Sequence, residues 1–187
     1  MGNLLFFMFR QKKLYFSPLF RQAFFKLLDI LSAKQSERGF SMREFFVYLI
    51  TKEVAHSYYG KENKLFQLFF EEQRSKGIYK TILQKQVSYI TSLLSVSQLE
   101  EHFWSYLSET YEWRLEGETY SLSCRNSTVH VELTDRYLHL YSIGNFEAET
   151  IIFEALRHYE SYFLAMDYGE RKYGWLSPFK LSMVYAT

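Results

Sequence analysis

The spacing of hydrophobic positions changes once along the chain, and the change separates a helical part from a strand-forming part. Residues 43–50 are rich in aromatic and β-branched side chains, which is typical of a strand. Apolar residues then recur every three or four positions, which predicts helices over residues 52–59, 62–75 and 78–94 and a fourth through Leu107. From residue 111 the period becomes two, which predicts an antiparallel meander with one wet face.

Two of these helices carry further signals. In the third helix, we expect one apolar side to face the core. The members of this side are Tyr79, Ile82, Leu83, Ile90, Leu93 and Leu94. The fourth helix is predicted to begin at a capping box, in which Ser97 and Glu100 satisfy the first backbone N–H groups.

A fifth helix and two further strands complete the predicted domain. Asn145 is expected to cap a helix over residues 146–160, whose apolar stripe includes Ile152 and should pack on the sheet. Residues 162–166 predict a buried strand, and residues 173–177 predict a closing one. The predicted fold is therefore α+β: a single domain with a mostly antiparallel β-sheet packed against several α-helices.

The aromatic content points beyond folding to an interface. The chain of 187 residues contains 16 Tyr and 18 Phe. One small core cannot hold so many rings, so several Tyr side chains should be exposed, where they offer contact area at low entropy cost. The single cysteine, Cys124, excludes an internal disulfide framework and is expected to be a small core residue.

Residues 1–41 differ in charge from the domain of residues 42–187. The first segment has a net charge of +5 and the second of −4, so the domain is poorly suited to grip a phosphate backbone. Phe20, Phe24 and Leu31 mark one face of a basic amphipathic helix, which is typical of a membrane-surface segment.

A second hypothesis for residues 1–41 concerns the gene. Codons for Glu37-Arg38-Gly39 can spell a purine-rich ribosome-binding site at a usable distance from Met42. Translation would then begin at Met42, and residues 1–41 would be a mis-assigned extension.

Motif searches reveal no catalytic centre. The sequence contains no glycine-rich phosphate loop, no H-E-x-x-H and no G-x-S-x-G elbow. His130 and His139 are expected to share the wet face of the sheet as solvated side chains, because a metal site would need a third ligand. Asp167 is expected to cap the turn after its strand, and a small-ligand sensor around Asp167 and Trp175 is the alternative.

Two helices present side chains that suit a protein interface. In the first, two i, i+4 pairs run parallel, namely Val54 with Tyr58 and Ala55 with Tyr59. A short surface helix should bury one pair and expose the other. In the third, Gln86 and Tyr89 border the apolar side, where dry burial would be costly but an interface rim would suit them. The alternative is a buried, hydrogen-bonded Gln86 and a half-exposed Tyr89.

Several short segments are specific in combination. They are YLI at 48–50, YYGKE at 58–62, YIT at 89–91, FEAETIIFE at 146–154, FLAMD at 163–167 and YGWL at 173–176. Together they resemble the SirA family, the sporulation inhibitors of replication of endospore-forming bacteria. The likeness covers nearly all of residues 42–187 and is weakest in the middle of that range.

The resemblance implies a function without catalysis or cofactors. SirA proteins bind the N-terminal domain of the replication initiator DnaA and hinder its action at the chromosomal origin. Their contact surface is attributed to the first helix and to the helix over 78–94, which carries over to Val54, Tyr58, Gln86 and Tyr89, with Lys61 as a weaker candidate. A family member has Phe at the position of Val54, so binding here is expected to be weaker or centred nearer to Tyr58.

The expected function is thus that of a cytoplasmic regulator that binds the N-terminal domain of DnaA and is not an enzyme. Residues 42–187 are expected to contact neither nucleic acid nor membrane directly. The alternative is a membrane-surface or small-ligand-sensing regulatory domain.

Overall fold

The first strand of the domain lies at the centre of its sheet. The computed structural model describes residues 42–177, in which β1 (Met42–Leu49) pairs antiparallel with both β5 (Leu138–Gly144) and β6 (Phe163–Asp167). The other strands are β2 (Glu112–Glu116), β3 (Thr119–Cys124), β4 (Ser127–Leu133) and β7 (Lys172–Trp175). The strand order β2-β3-β4-β5-β1-β6-β7 shows that the predicted meander is one half of a larger antiparallel sheet.

Five helices in residues 42–177 cover this sheet. They are α1 (Lys52–Tyr58), α2 (Glu62–Arg74), α3 (Gly77–Ile90), α4 (Val96–Leu107) and α5 (Glu147–Tyr159). α4 and α5 pack on one side of the sheet, the α4–α5 face, and α1 to α3 pack on the opposite side, the α1–α3 face. The predicted α+β class is confirmed.

Alternation along β1 supplies a hydrophobic core on each face. Val47 packs in the α4–α5 core with Ile152 and Phe163, whereas its neighbour Tyr48 packs in the α1–α3 core with Phe69. This division follows because successive side chains of a strand point to opposite sides of the sheet. Both cores therefore depend on the position of the same strand.

The α1–α3 core is built largely from rings, which accounts for part of the aromatic content. The rings of Tyr48 and Phe69 lie 4.3 Å apart, and Phe66 stacks on Tyr173 at 4.8 Å. The hydroxyl oxygens of Tyr48 and Tyr168 are 3.2 Å apart. Burial raises the pKa of Tyr48 to about 12, so this hydroxyl stays protonated and available for its hydrogen bond.

A buried ion pair fastens α5 to β1. The Nε atom of Arg43 donates to both carboxylate oxygens of Glu149, at 3.1 and 2.9 Å. Other guanidinium N–H groups donate to the carbonyl oxygens of Gly144 and Asn145. The two side chains are 11% and 4% exposed, so loss of either partner would leave a buried charge unpaired.

The predicted start of α5 is one residue early. The helix begins at Glu147 with Phe146 at the cap position, although the Oδ1 atom of Asn145 accepts the N–H of Glu147 at 3.0 Å. The preceding Gly144 is fixed by its surroundings, because its φ is +100° and an added Cβ would lie 2.0 Å from the carbonyl oxygen of Asn126.

The predicted capping box of α4 is wrong. The cap position is Ser95, so Ser97 lies inside the first turn. Glu100 instead accepts a hydrogen bond from the hydroxyl of Tyr120 at 2.7 Å, which ties α4 to β3. The side chain of Glu100 therefore makes a tertiary contact and does not cap the helix in the way that the local pattern predicts.

The chain divides into two units after residue 40, and every described element lies in the second unit, Ser41–Thr187. The predicted amphipathic helix around residues 20–31 lies outside the described residues. That helix and the start at Met42 therefore stay predictions. Within residues 42–177, no helix is long and apolar enough to cross a membrane.

Ile152 tests the α4–α5 core, since its side chain is fully buried there. We expect Ile152→Asp to abolish cooperative unfolding, because a carboxylate in this core lacks both water and a partner. Thermal unfolding followed by circular dichroism measures this, with Thr150→Asp, at an exposed position of the same helix, as the control. A folded Ile152→Asp variant with a melting temperature like that of the control would contradict the assigned core.

Candidate protein-interaction surface

Backbone bonds at the end of β1 place α1 beside the end of α3. The N–H of Thr51 donates to the carbonyl oxygen of Ile90 at 2.9 Å, and Ile50 forms an antiparallel bridge with Thr91. The bridge also explains why α3 ends at Ile90 and does not reach the predicted residue 94. As a result, the start of α1 lies next to the end of α3.

The turn between α1 and α2 is fixed to the edge of the sheet. Gly60 has a φ of +77°, and its N–H donates to Oε1 of Glu62 at 2.7 Å. The same oxygen accepts the indole N–H of Trp175 on β7, also at 2.7 Å. Partial burial raises the pKa of Glu62, but backbone hydrogen bonds and that of Trp175 outweigh this effect and hold the pKa below its ordinary value.

The five predicted contact residues lie on α1, on this turn and on α3, and they differ in exposure. Tyr89 is 82% exposed and Tyr58 is 36% exposed, while Gln86 and Lys61 are exposed as well. Val54 is half-buried and packs against the α1–α3 core. The alternative of a buried Gln86 is wrong, and contact of these side chains with a partner stays a prediction.

One of the two i, i+4 pairs on α1 was expected to be buried, but only one residue of that pair is buried. Ala55 is fully buried, but Tyr59 is 37% exposed, much like Tyr58. α1 ends at Tyr58, and the ψ of 127° at Tyr59 turns the following chain out of the helix.

α3 exposes far more apolar surface than its pattern predicts. Tyr79 and Ile82 were assigned to its core-facing side, but they are 54% and 48% exposed. Leu93 was assigned to the same side, but it lies after the end of α3 and is 62% exposed. Ile78 is 83% exposed, and Leu83 is the buried residue of the helix. The prediction for Tyr79, Ile82 and Leu93 is therefore wrong.

The exposed side of α3 is continuous. Five of its exposed residues, called the α3 stripe, are Ile78, Tyr79, Ile82, Gln86 and Tyr89. They fall within about 100° of one another around a helix of 3.6 residues per turn. The sequence signal for this exposed side was the width of the apolar pattern. Exposed and core-facing apolar positions together cover about half of the circumference of α3, which is wider than contact with a single core requires.

The residues of the alternative ligand sensor do not meet. Trp175 pairs with Leu164 on the α1–α3 face, whereas Asp167, three residues further along β6, points to the other face. The Oδ1 atom of Asp167 accepts the N–H of Glu170 at 2.8 Å, which confirms the predicted turn cap. The pocket beside Trp175 is lined by residues that do not include Asp167, namely Tyr59, Glu62, Tyr173, Gly174 and Ser177.

The half of the α1–α3 face formed by β2 to β5 carries polar side chains, and His139 lies where this half meets β1. The prediction of a solvated imidazole is wrong for His139, which is 7% exposed and stacks on Phe46 at 4.2 Å. Its Nε2 lies 2.7 Å from Oε1 of Glu44, and its Nδ1 lies 3.6 Å from Oε2 of Glu132. Strands on both sides thus supply a carboxylate to one ring.

These contacts shift two pKa values in opposite directions. Burial lowers the pKa of His139, but the bonds to Glu132 and Glu44 outweigh burial and raise it. The hydrogen bond from His139 holds the pKa of Glu44 below its ordinary value. Among residues 42–177, no three His, Cys, Asp or Glu side chains are grouped to hold a metal ion.

Comparison with known proteins gives two consistent matches. A family model described as sporulation inhibitor of replication protein SirA matches residues 43–180. A protein of Bacillus subtilis (strain 168) named sporulation inhibitor of replication protein SirA is 32% identical over 143 residues, which are 74% of this chain and 95% of that protein. The chain belongs to the SirA family.

The matched region of this SirA family member runs from β1 to β7, and it includes α1, the turn after α1 and α3. The resemblance inferred from short segments is therefore confirmed at the level of the family. The candidate surface belongs to the part of the chain that the family shares.

The contacts of His139 predict a pH-dependent stability. A raised pKa means that this contribution is fully present below the ordinary value of 6.5 and is lost as pH rises through the raised value. Glu44 acts in the opposite direction, and its contribution is lost only as pH falls through its lowered pKa. We therefore expect His139→Gln to lower the free energy of unfolding more at about pH 6 than at about pH 9.

Urea unfolding of both chains at the two pH values measures this difference. The matched control is Glu44→Gln, which should reduce the pH dependence because it removes one of the two carboxylates. A cost of His139→Gln that is equal at both pH values would contradict a charged His139 in the folded protein.

Proposed function

We propose that this SirA family member inhibits the initiation of chromosome replication at sporulation by binding the N-terminal domain of the initiator DnaA. The name of the Bacillus subtilis relative supports the inhibitory role. The observation that carries the proposed binding mode is the exposed α3 stripe, which ends at Tyr89. The next residue, Ile90, accepts the N–H of Thr51 at the start of α1. Exposed apolar patches on a folded domain commonly mark protein contacts.

Each predicted residue has a role in such a contact that matches its exposure. Tyr89 is the best anchor, since 82% of its surface is free to be buried by a partner. Tyr58 and Gln86 offer a hydroxyl and an amide for rim hydrogen bonds, and Lys61 offers a charge. Val54 packs on the core and supports α1 from beneath rather than supplying a large contact of its own.

This mode of inhibition requires no bond-making chemistry. The protein only has to cover a surface that the initiator needs for assembly at the origin. A contact with a few aromatic anchors is sufficient for a specific interface of ordinary size. Inhibition then depends on the amount of inhibitor relative to initiator and on the dissociation constant, and it involves no turnover.

Tyrosine substitutions test the proposed surface. We expect Tyr58→Ala and Tyr89→Ala each to weaken binding to the DnaA N-terminal domain of the same organism by at least ~1 kcal/mol, or about fivefold in Kd. Calorimetric titration of the full chain measures the affinity, and circular dichroism checks that each variant is folded.

Tyr106→Ala is a matched control, because Tyr106 is 38% exposed and lies on α4, across the sheet from α1 and α3. Equal affinities of all four chains would exclude this surface. If the wild-type chain itself fails to bind, the proposed partner is wrong.

A further inference from the structure

Two isoleucines at the beginning of α3 form an exposed patch, and neither of them is among the predicted contact residues. Ile78 is 83% exposed and Ile82 is 48% exposed, and they lie one helical turn apart on the same side. Ile82 and Tyr89 are two turns apart on that side, so the patch continues the surface of the proposed function. Two exposed isoleucines in line with a fully exposed tyrosine are costly to leave in water.

The patch sits on a helix that its neighbours hold in place. On the inner side of α3, Leu83 is buried, and Val87 packs against the α1–α3 core. On the outer side, the hydroxyl of Tyr79 donates to Oε2 of Glu71 at 3.1 Å, which fastens the first turn of α3 to α2. A partner would therefore meet a preformed surface and would lose little free energy to ordering it.

The charge around the patch indicates what kind of surface would cover it. Residues 73–99 contain four basic side chains and no acidic one. Two carboxylates of α2 also contact α3: Glu71 accepts the hydroxyl of Tyr79, and Glu72 lies 3.8 Å from Lys80. Lys76, at the N-cap of α3, and Lys85, next to the stripe, are exposed. An apolar partner surface bordered by carboxylates would complement this arrangement.

We infer that Ile78 and Ile82 extend the contact surface by two turns along α3, and that the partner covers them with an apolar surface bordered by carboxylates. This inference rests on the proposed function, so the occupant is the N-terminal domain of DnaA. The extension moves the centre of the contact away from Val54, which is small and half-buried, towards the exposed side of α3.

Titration of the full chain with the DnaA N-terminal domain tests the extension. We expect Ile78→Ser combined with Ile82→Ser to weaken binding about tenfold or more, because truncating two central apolar contacts has effects of this size. Leu115→Ser is the matched control, since Leu115 is 52% exposed on β2, at the far edge of the sheet. Both variants remove exposed side chains, so both should keep the wild-type melting temperature.

The outcomes separate this inference from the proposed function. If Tyr89→Ala weakens binding but the double variant binds like the wild type, the extension is wrong and the proposed function stands. If the wild-type chain does not bind at all, both are wrong. If the wild-type chain alone is a dimer, the double variant a monomer, and the affinity for the domain unchanged, the patch is a contact between two copies and the extension is wrong.

The carboxylate border has its own test. We expect Lys85→Glu to weaken binding by about threefold or more at low ionic strength and by less in high salt, because exposed charges are screened. Arg125→Glu makes the same change of charge at an exposed turn between β3 and β4 and should leave the affinity nearly unchanged. If both substitutions weaken binding equally, the effect comes from the net charge of the chain, and the inferred carboxylate border is wrong.

Discussion

The insertion of β1 between β5 and β6 is the constraint on which the rest of the domain depends. β1 comes first among the described elements but pairs with strands about one hundred residues later in the chain. Its alternate side chains enter two different cores, and Arg43 at its start holds α5 through Glu149. The bonds at its end fix the start of α1 next to the end of α3. The candidate surface therefore exists only once the sheet has closed around β1.

The two faces of the sheet are covered in different ways, and the difference creates the functional surface. On the α4–α5 face, two helices bury a continuous hydrophobic core. On the opposite face, α2 contributes three buried residues, but α3 contributes Leu83 as its buried residue. α3 is held by a narrow inner side and by contacts with α2, so its outer side is left for another molecule to cover. A helix packed in this way gives up some burial within the domain in exchange for a preformed contact surface.

Several polar side chains in this fold form tertiary hydrogen bonds that local sequence patterns do not predict. Glu100 was expected to cap its own helix, but it accepts a hydrogen bond from Tyr120 on β3. Glu62, at the start of α2, accepts one from Trp175 on β7. His139 likewise contacts two side chains from other strands, Glu44 and Glu132. Partners that lie next to each other only through strand pairing leave no trace in sequence spacing, because about 95 residues separate His139 from Glu44.

The periods of apolar residues can be read from the chain alone, and they predict the class of the fold. Strands, helices and the buried stripe of α5 around Ile152 follow from residue spacing, because period two and period 3.6 are local properties of the backbone. The identities of Tyr58, Gln86 and Tyr89 as contact candidates also came from the sequence. The outward position of Ile78, Tyr79 and Ile82 follows from tertiary packing, because an apolar stripe does not show which part of it the protein's own core will cover. That choice depends on the width of α3 that α2 and the sheet leave uncovered, which is set by packing between distant elements.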